Sequence, residues 1–329
     1  MNRLYATGLS LALLCAAVLT APAQTIRRVN NSGATGANLY ATAQAAHDAA
    51  VPGDVIHLEQ SSNDYGALTC TKNVRIVGPG YFLDRTPGLQ ANTATARLGN
   101  LNFDPGSDGA SITGVTVNGA ISVAASNIRI ERNRVDGGIY LGGSLSTAMY
   151  NTYIRQNYVS GIVKINSGAQ CYDILIANNL VYNGGVTLQS NVSGEYRHNV
   201  IVNGSSALLK DFVVQNNYFT GSNVFTNCTV SHNLSSGNSL PAGNNNQLNV
   251  PATAVFELTP GAVYDAHYQL KSGPNPARGT GTGGSDIGAF GGAAPYVLSG
   301  IPAVPSIYEY NHVLSGTQLQ VTLSTRANN

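Results

Sequence analysis

The sequence predicts an all-β protein built as a parallel β-solenoid, with a short helix near its N-terminus. A six-residue pattern centred on asparagine recurs along the chain, and the segments around it alternate apolar and polar residues. The chain is also rich in corner-forming residues, with 35 Asn and 37 Gly among 329 residues. Because only 10% of the residues are charged and the net charge is +1, no overall field favours nucleic acid as a partner.

Residues 1–23 are typical of a secretory signal peptide. Arg3 precedes an apolar stretch, and the small-residue site Ala21-Pro22-Ala23 follows it. We therefore expect an exported protein that is secreted, cell-surface or periplasmic and whose mature chain begins near Gln24. No later run of about 20 apolar residues is present to span a bilayer.

A short amphipathic helix is predicted early in the mature chain. Residues 38–50 place four apolar side chains at helical spacing, and a Pro-Gly turn and a strand follow. A solenoid needs such an element to cover the open apolar end of its first coil, so we interpret this helix as an N-terminal cap.

The repeat consists of an apolar residue, two further residues, Asn, one residue and another apolar residue. Its asparagines are Asn133, Asn157, Asn179, Asn199, Asn217 and, in a weaker copy, Asn233. The steps between them shorten from 24 to 16 residues, which suits coils that share strands and differ in loop length. Stacking the coils places these asparagines in a ladder in which their amides bond one another.

A second turn residue follows each ladder asparagine by four positions, at Gly137, Gly161, Asn183, Asn203 and Gly221. Gly and Asn tolerate a left-handed backbone, so both positions are expected to be corners between short strands. Within a strand, Ile139 and Leu141 should point inward and Tyr140 outward. His198 and His232 directly precede a ladder asparagine and are expected to face solvent, where a metal site is not favoured.

The asparagine pattern stops near residue 245. The glycine-rich stretch from Tyr268 to Phe290 is interpreted as a C-terminal cap, which gives a β-helix domain with caps over residues 24–294. Residues 295–329 are predicted to form a proline-punctuated tail with one clear strand at 319–323. Outside the leader the only cysteines are Cys70, Cys171 and Cys228, too few and too dispersed for a disulfide framework.

Three segments carry a family resemblance: AQAAHDAAVPGDVI at 43–56, VRIVGPG at 74–80 and DIGAFG at 286–291, together with the asparagine coils. In these the chain resembles right-handed parallel β-helix proteins of the pectin-lyase-like superfamily, especially secreted bacterial members, over residues 26–292. The resemblance implies a right-handed coil. Members of this superfamily include polysaccharide lyases, glycoside hydrolases, adhesins and proteins without known activity, so the fold alone does not define a reaction.

The sequence contains no clear motif for either a polysaccharide lyase or a glycoside hydrolase. A lyase of this type needs a base and a cation, often calcium, that neutralises the substrate carboxylate. The acids between residues 131 and 233 are scattered, so calcium is compatible with the chain but not supported by a cluster, and no other cofactor is evident. A hydrolase needs two carboxylates facing one bond, and the sequence does not pair them.

The best polar cluster lies on outward positions of the strand before each asparagine. Arg155 and Arg197 share one column two coils apart, with Tyr153 and Glu195 beside them. Two arginines could clamp carboxylates or sulfates of an acidic sugar chain. The alternative is that Arg155 pairs with Glu131, and Arg197 with a neighbour, as ordinary surface charges.

Lys164 and Tyr140 stack on the following strand. Lys164 could act as a base, with Tyr140 as an acid or a sugar platform; equally, Lys164 is a solvated surface residue. The longer loops of the N-terminal coils predict a shallow groove over Arg155, Lys164 and Tyr140. The candidate catalytic residues are therefore Lys164, Arg155 and Arg197, the candidate substrate-binding residues are Tyr140, Tyr153 and Glu195, and no metal ligands are assigned.

Together these features predict a secreted β-helix protein that recognises, and if it is an enzyme cleaves, extracellular polysaccharide or a cell-surface glycan, with an acidic glycan favoured. If it is an enzyme, it is a polysaccharide lyase or a glycoside hydrolase. The alternative is a non-catalytic surface, adhesive or structural solenoid. The sequence does not predict an oligomeric state.

Overall fold

A computed structural model describes residues 24–142, 147–203, 206–258 and 264–328. The leader predicted at residues 1–23 lies outside the described residues. The chain forms a parallel β-solenoid of about nine coils, which confirms the predicted all-β solenoid. Among the described helices, none has the length and apolar character needed to cross a bilayer. The right-handed sense of the coil stays a prediction.

Three parallel sheets run the length of the solenoid. Sheet A has twelve strands, numbered along the chain: β1 (Ile26–Val29), β2 (Leu39–Tyr40), β3 (Val55–Leu58), β5 (Arg75–Val77), β8 (Ser111–Thr113), β11 (Arg129–Glu131), β14 (Met149–Tyr150), β15 (Tyr153–Arg155), β18 (Cys171–Ala177), β21 (Val192–Arg197), β24 (Phe212–Gln215) and β27 (Thr229–Ser231).

Sheets B and C have eight strands each. Sheet B contains β6 (Arg97–Leu98), β9 (Thr116–Val117), β12 (Arg134–Val135), β16 (Tyr158–Val159), β19 (Leu180–Tyr182), β22 (Val200–Val202), β25 (Tyr218–Phe219) and β28 (Leu234–Ser235). Sheet C contains β4 (Leu68–Cys70), β7 (Leu101–Phe103), β10 (Ile121–Val123), β13 (Ile139–Leu141), β17 (Val163–Ile165), β20 (Val186–Leu188), β23 (Ala207–Lys210) and β26 (Val224–Thr226).

The core follows from the alternation of the strands. On sheet A, the inward residues Ile112, Ile130, Ile154 and Ile176 stack on one another in register and are fully buried. On sheet C, Ile139 and Leu141 are buried and Tyr140 points outward, as predicted. Stacking identical aliphatic side chains fills the interior at close packing without polar atoms.

The asparagine ladder is present and is buried from Asn133 to Asn233. Asn157, for example, donates from its backbone N–H and from Nδ2 to the Oδ1 of Asn179, at 2.9 and 3.0 Å. Its Nδ2 also donates to the carbonyl of Ile130, so the amide satisfies backbone groups where the chain turns. The ladder extends one coil further than predicted, because Asn233 bonds Asn246 in the same way.

The sequence predicted that the ladder asparagine itself has the left-handed backbone of the first corner. In the structure, the residue before the ladder asparagine has it instead. This corner column, with φ between 52° and 60°, consists of Arg132, Gln156, Asn178, His198, Asn216 and His232. The side chain of the ladder asparagine reaches the next coil from an extended backbone. The residue before it therefore adopts the left-handed conformation that turns the chain. At the second corner Asn183, Asn203 and Gly221 are left-handed, as predicted. Gly137 and Gly161 are not, and in the coil of Gly137 the left-handed residue is Gly138.

Helix α1 (Ala43–Ala49) is shorter than the predicted 38–50. Leu39 belongs to β2, which pairs with β1, and the Thr42 hydroxyl accepts from the Ala45 N–H at 3.2 Å to begin the helix. Ala43 and Ala46 are buried in the main core. The role of α1 as a cap stays a prediction.

A C-terminal arm, of which residues 250–258 and 264–301 are described, covers the outer face of sheet B. It contains helix α2 (Ala252–Val255) and three 3-10 turns, Asp265–Tyr268, Thr282–Gly284 and Leu298–Gly300. Apolar residues that point outward from sheet B, such as Leu180 and Val200, pack against arm residues such as Phe256 and Ile287 in a second hydrophobic core. The stretch Tyr268–Phe290, interpreted as a C-terminal cap, therefore lies along the side of the solenoid, because sheet B offers it an apolar face there.

The chain ends in an antiparallel hairpin of β29 (Ser306–Ser315) and β30 (Gln318–Arg326). The predicted strand at 319–323 lies within β30. Within the described residues Cys70, Cys171 and Cys228 are all free, and Cys228 is half-buried against the core.

Candidate functional site

The outer face of sheet A holds the predicted polar columns in the predicted register. One column, read across successive strands, is Glu131, Arg155, Ala177, Arg197 and Gln215. The neighbouring column is Arg129, Tyr153, Leu175, Glu195 and Val213. Arg155 and Arg197 are thus two strands apart, about 9.6 Å by ordinary strand spacing.

Arg155 is paired with Glu131, which is the alternative foreseen for it. Its Nε and Nη2 atoms lie 3.0 and 2.7 Å from the same Glu131 Oε1. Arg129 approaches that oxygen at 3.9 Å and also stacks over the Tyr153 ring, 4.6 Å from its centroid. Two guanidinium groups therefore share one carboxylate, which leaves this cluster with one excess positive charge.

Arg197 pairs with Glu195 two positions earlier on the same strand, at 3.0 Å. Both side chains are about half exposed, at 48% and 50%. An ion pair this exposed contributes little to stability and exchanges readily with other partners. The guanidinium of Arg197 therefore remains accessible to an anion from solvent.

A trough runs between the two arginines. We call it the Arg trough: Arg155 and Arg197 flank it, Leu175 and Ala177 form its floor, and arm residues 292–294 line its far side. It encloses about 340 Å³. The small Ala177 side chain between two long arginines creates the depression, and the arm turns an open sheet face into a walled groove.

A second depression of about 340 Å³ continues from the Arg trough along sheet A. The two share Leu175 and Arg197, and the second is lined by Tyr153, Glu195 and Asp173. The structure thus brings together four of the six predicted site residues, Arg155, Arg197, Tyr153 and Glu195, in two adjoining depressions on sheet A.

Lys164 and Tyr140 do not join this groove. They occupy outward positions on adjacent strands of sheet C, with the Lys164 Nζ 5.1 Å from the centre of the Tyr140 ring. The sequence predicted a shallow groove over Arg155, Lys164 and Tyr140. In the described part of the chain these side chains do not share one face, because Arg155 points outward from sheet A and the other two from sheet C. Two corners and a strand of sheet B separate Arg155 from Lys164 along the chain, so their strands lie on different sides of the solenoid.

The corner column next to the Arg trough is covered by the arm rather than by solvent, which corrects the expectation for His198. The Asn178 Nδ2 donates to the carbonyls of Ala289 and Gly291, and the Gln156 Nε2 donates to those of Ala294 and Pro295. His198 is only 8% exposed. Burial, and to a lesser degree the charge of Arg197, lowers the pKa of the His198 imidazole.

Sequence reasoning missed this arm-built wall. One signal for it was available in the pair Gly291-Gly292. A Cβ on Gly292 would come within 2.8 Å of the His198 ring, and one on Gly291 would clash with the Asp286 carbonyl. Adjacent glycines without a hairpin pattern therefore marked a place where backbone lies directly against another side chain.

The arrangement suits binding of anionic groups better than the chemistry of bond cleavage. Glu131 and Glu195 are each engaged with an arginine and lie three strands apart, so they do not face one bond. Across the described parts of the chain, no three His, Cys, Asp or Glu side chains gather as a metal site would require. A role of calcium in ligand binding is not tested by these observations.

Comparison with known proteins gives no relative of this chain: no protein-family model, no curated protein and no solved structure matches it.

Proposed function

We propose that this protein is an exported solenoid that binds an acidic polysaccharide in the Arg trough. The observation that carries the proposal is the placement of Arg155 and Arg197 on either side of Ala177. Planar guanidinium groups bind carboxylates and sulfates through paired hydrogen bonds, and the small floor residue leaves room for such groups between them.

The charges that line the Arg trough itself support an anionic ligand, because its described lining includes Arg155 and Arg197 and no carboxylate, whereas Asp173 and Glu195 line the second depression. Glu131 is shared by Arg129 and Arg155, so neither guanidinium has a carboxylate to itself. The Glu195 pair of Arg197 is exposed and weak. An incoming sugar carboxylate can add to the first arginine cluster and replace Glu195 at the second, while Tyr153 offers an aromatic surface alongside.

The proposal also includes the protein family, the handedness of the coil, the role of α1 and the location of the protein. We infer membership of the pectin-lyase-like superfamily, a right-handed coil, a capping role for α1 and export. The parallel solenoid with buried stacked asparagines supports the first two, and the burial of Ala43 and Ala46 in the main core supports the capping role of α1. The leader pattern in residues 1–23 supports export.

A non-catalytic adhesive or structural role is the second candidate. The terminal hairpin favours it, because Leu314, Leu319 and Leu323 are 71%, 61% and 55% exposed. Contiguous exposed apolar side chains are typical of interaction surfaces.

The test is a glycan panel. The mature protein is incubated, with and without calcium, with pectate, alginate, a glycosaminoglycan and neutral glycans. Retention reports binding, ultraviolet absorbance of unsaturated products reports lyase activity, and new reducing ends report hydrolysis. Retention on one acidic glycan that is lost in Arg155→Ala/Arg197→Ala, but kept in Lys164→Ala, supports the proposal. Equal retention by all three proteins would refute it.

A further inference from the structure

A second cleft lies where the terminal hairpin meets the first coils. We call it the hairpin cleft. It encloses about 470 Å³ and runs between the β29–β30 hairpin and the N-terminal part of sheet A. This volume falls in the range of small-molecule binding sites. It is separate from the Arg trough, with which it shares no residue.

The cleft has two chemically different walls. The hairpin wall is apolar and aromatic, with Tyr310 and Leu323 facing each other across the two strands. The solenoid wall presents polar side chains, His57, Gln60 and Asn92. No Lys, Arg, Asp or Glu lines the cleft in the described part of the chain.

Several polar groups of the cleft retain hydrogen-bonding capacity. The Gln60 Nε2 donates to the Gln90 Oε1 at 3.0 Å, and this bond orients the Gln60 amide. The Gln60 Oε1 accepts no hydrogen bond from a described residue. The Asn92 Oδ1 accepts from the Ala94 N–H at 3.0 Å, while its Nδ2 has no bond to a described residue. Among the described residues, the Tyr310 hydroxyl likewise has no hydrogen-bond partner within the chain.

The hairpin is fixed over this cleft at its base. The Ala91 N–H donates to the Ile307 carbonyl at 2.8 Å, and Arg326 donates to the Leu89 carbonyl at 2.9 Å. Asn328 adds a bond to the Val304 carbonyl at 2.8 Å. These bonds link both hairpin strands to the 89–91 loop, so the apolar wall is held at a fixed distance from the polar one.

We infer that the hairpin cleft binds an uncharged saccharide of one to three sugar units, with the apolar face of a sugar ring against Tyr310 and Leu323 and its hydroxyls bonded to Gln60 and Asn92. A charged ligand would find no counter-ion among the described residues that line the cleft. A purely apolar ligand would leave the amides unpaired. A neutral sugar ring, apolar on one face and edged by hydroxyls, matches both walls.

Burial also keeps the remaining titratable group of the cleft neutral. The pKa of His57 is lowered mainly by burial, with Arg28 adding to the effect and Glu59 opposing it. His57 is therefore uncharged at neutral pH and can both donate and accept a hydrogen bond with a hydroxyl.

The inference is tested by calorimetric titration of the full mature chain with neutral trisaccharides, namely maltotriose, cellotriose, xylotriose and mannotriose. We expect at least one to bind, and Tyr310→Ala and Gln60→Ala each to weaken it by about tenfold. Val313→Ala is the control, because Val313 lies on the same hairpin strand, is 60% exposed and does not line the cleft. It should bind as the wild type does.

Three outcomes would overturn the inference. In the first, no trisaccharide binds; in the second, Tyr310→Ala binds as tightly as Val313→Ala. A dimer in sedimentation velocity that dissociates in Leu319→Ser would also overturn it, because a second copy would then cover the hairpin face. The result is independent of the Arg trough, since Arg155→Ala/Arg197→Ala should leave binding of the neutral sugar unchanged.

Discussion

The Oδ1 of Asn217 accepts two hydrogen bonds from Asn199 in the preceding coil, one from the backbone N–H at 2.8 Å and one from Nδ2 at 3.1 Å. The same pair of bonds joins each ladder asparagine to the next, from Asn133 to Asn246. Each amide therefore holds its own coil and the following one in register, and the ladder connects the coils from residue 133 to residue 246.

Replacing a central ladder residue should destabilise the whole stack. Asn199→Ala removes the acceptor for the Asn179 amide groups and the donor to the Ile176 and Arg197 carbonyls. Since each unsatisfied buried group costs about 1–3 kcal/mol, we expect the free energy of unfolding to fall by at least about 3 kcal/mol in urea titrations. Asn102→Ala, on the outer face of sheet C, should cost less than about 0.5 kcal/mol. Equal effects would contradict the structural role of the ladder.

The second core predicts that the arm is a stabilising element. Phe256 is 1% exposed and packs edge-on against Tyr218 of sheet B. Phe256→Ala should lower the free energy of unfolding by about 3–5 kcal/mol, as large cavities in cores do, and should expose the arm to limited proteolysis. Val213→Ala, at an exposed position on sheet A, serves as the control. Unchanged arm cleavage in Phe256→Ala would show that this core does not hold the arm.

Asp265 predicts a pH dependence of stability. It is fully buried, accepts from the Ser299 N–H and the Tyr296 hydroxyl, and burial raises its pKa to about 6. In the unfolded chain the Asp265 carboxyl has a pKa of about 4. Between pH 4 and 6 the folded state therefore binds more protons at Asp265 than the unfolded state does. The free energy of unfolding should therefore fall as the pH rises through this window, by up to about 3 kcal/mol. The difference between wild type and Asp265→Asn, measured from pH 4 to 7, isolates this effect; a constant difference would disprove it.

We expect removal of the Glu131 carboxylate to raise the affinity for an acidic glycan. Glu131→Gln removes the carboxylate that Arg129 and Arg155 share, so both guanidinium groups should bind a sugar carboxylate more tightly, by about three- to tenfold at low salt. Stability should change by less than about 1 kcal/mol, because the pair is partly exposed. Glu59→Gln is the matched control, since Glu59 pairs with Arg28 away from the trough. A loss of acidic-glycan affinity in Glu131→Gln would contradict the assigned role of Arg155.

The period of the asparagine pattern was enough to predict the solenoid, the inward residues and the Glu131–Arg155 register. It could not predict which sides of the solenoid Arg155 and Lys164 face, because the turn angle at a corner is set by backbone geometry and not by spacing. It also missed the arm. Sheet B strands such as Leu180–Tyr182 are too short to show alternation, so the apolar outward face that binds residues such as Ile287 left no periodic signal.

The most direct test of the central claim is the affinity of an acidic oligosaccharide for the Arg trough, measured by calorimetry in wild type, Arg155→Ala/Arg197→Ala and Lys164→Ala. Lys164→Ala removes a positive charge from sheet C and controls for nonspecific attraction. We predict that the double variant loses at least about tenfold in affinity, the cost of losing one charge-assisted bond, while Lys164→Ala binds as the wild type does. Equal affinity in all three proteins, or a loss confined to Lys164→Ala, would contradict the assignment of the trough as the binding site.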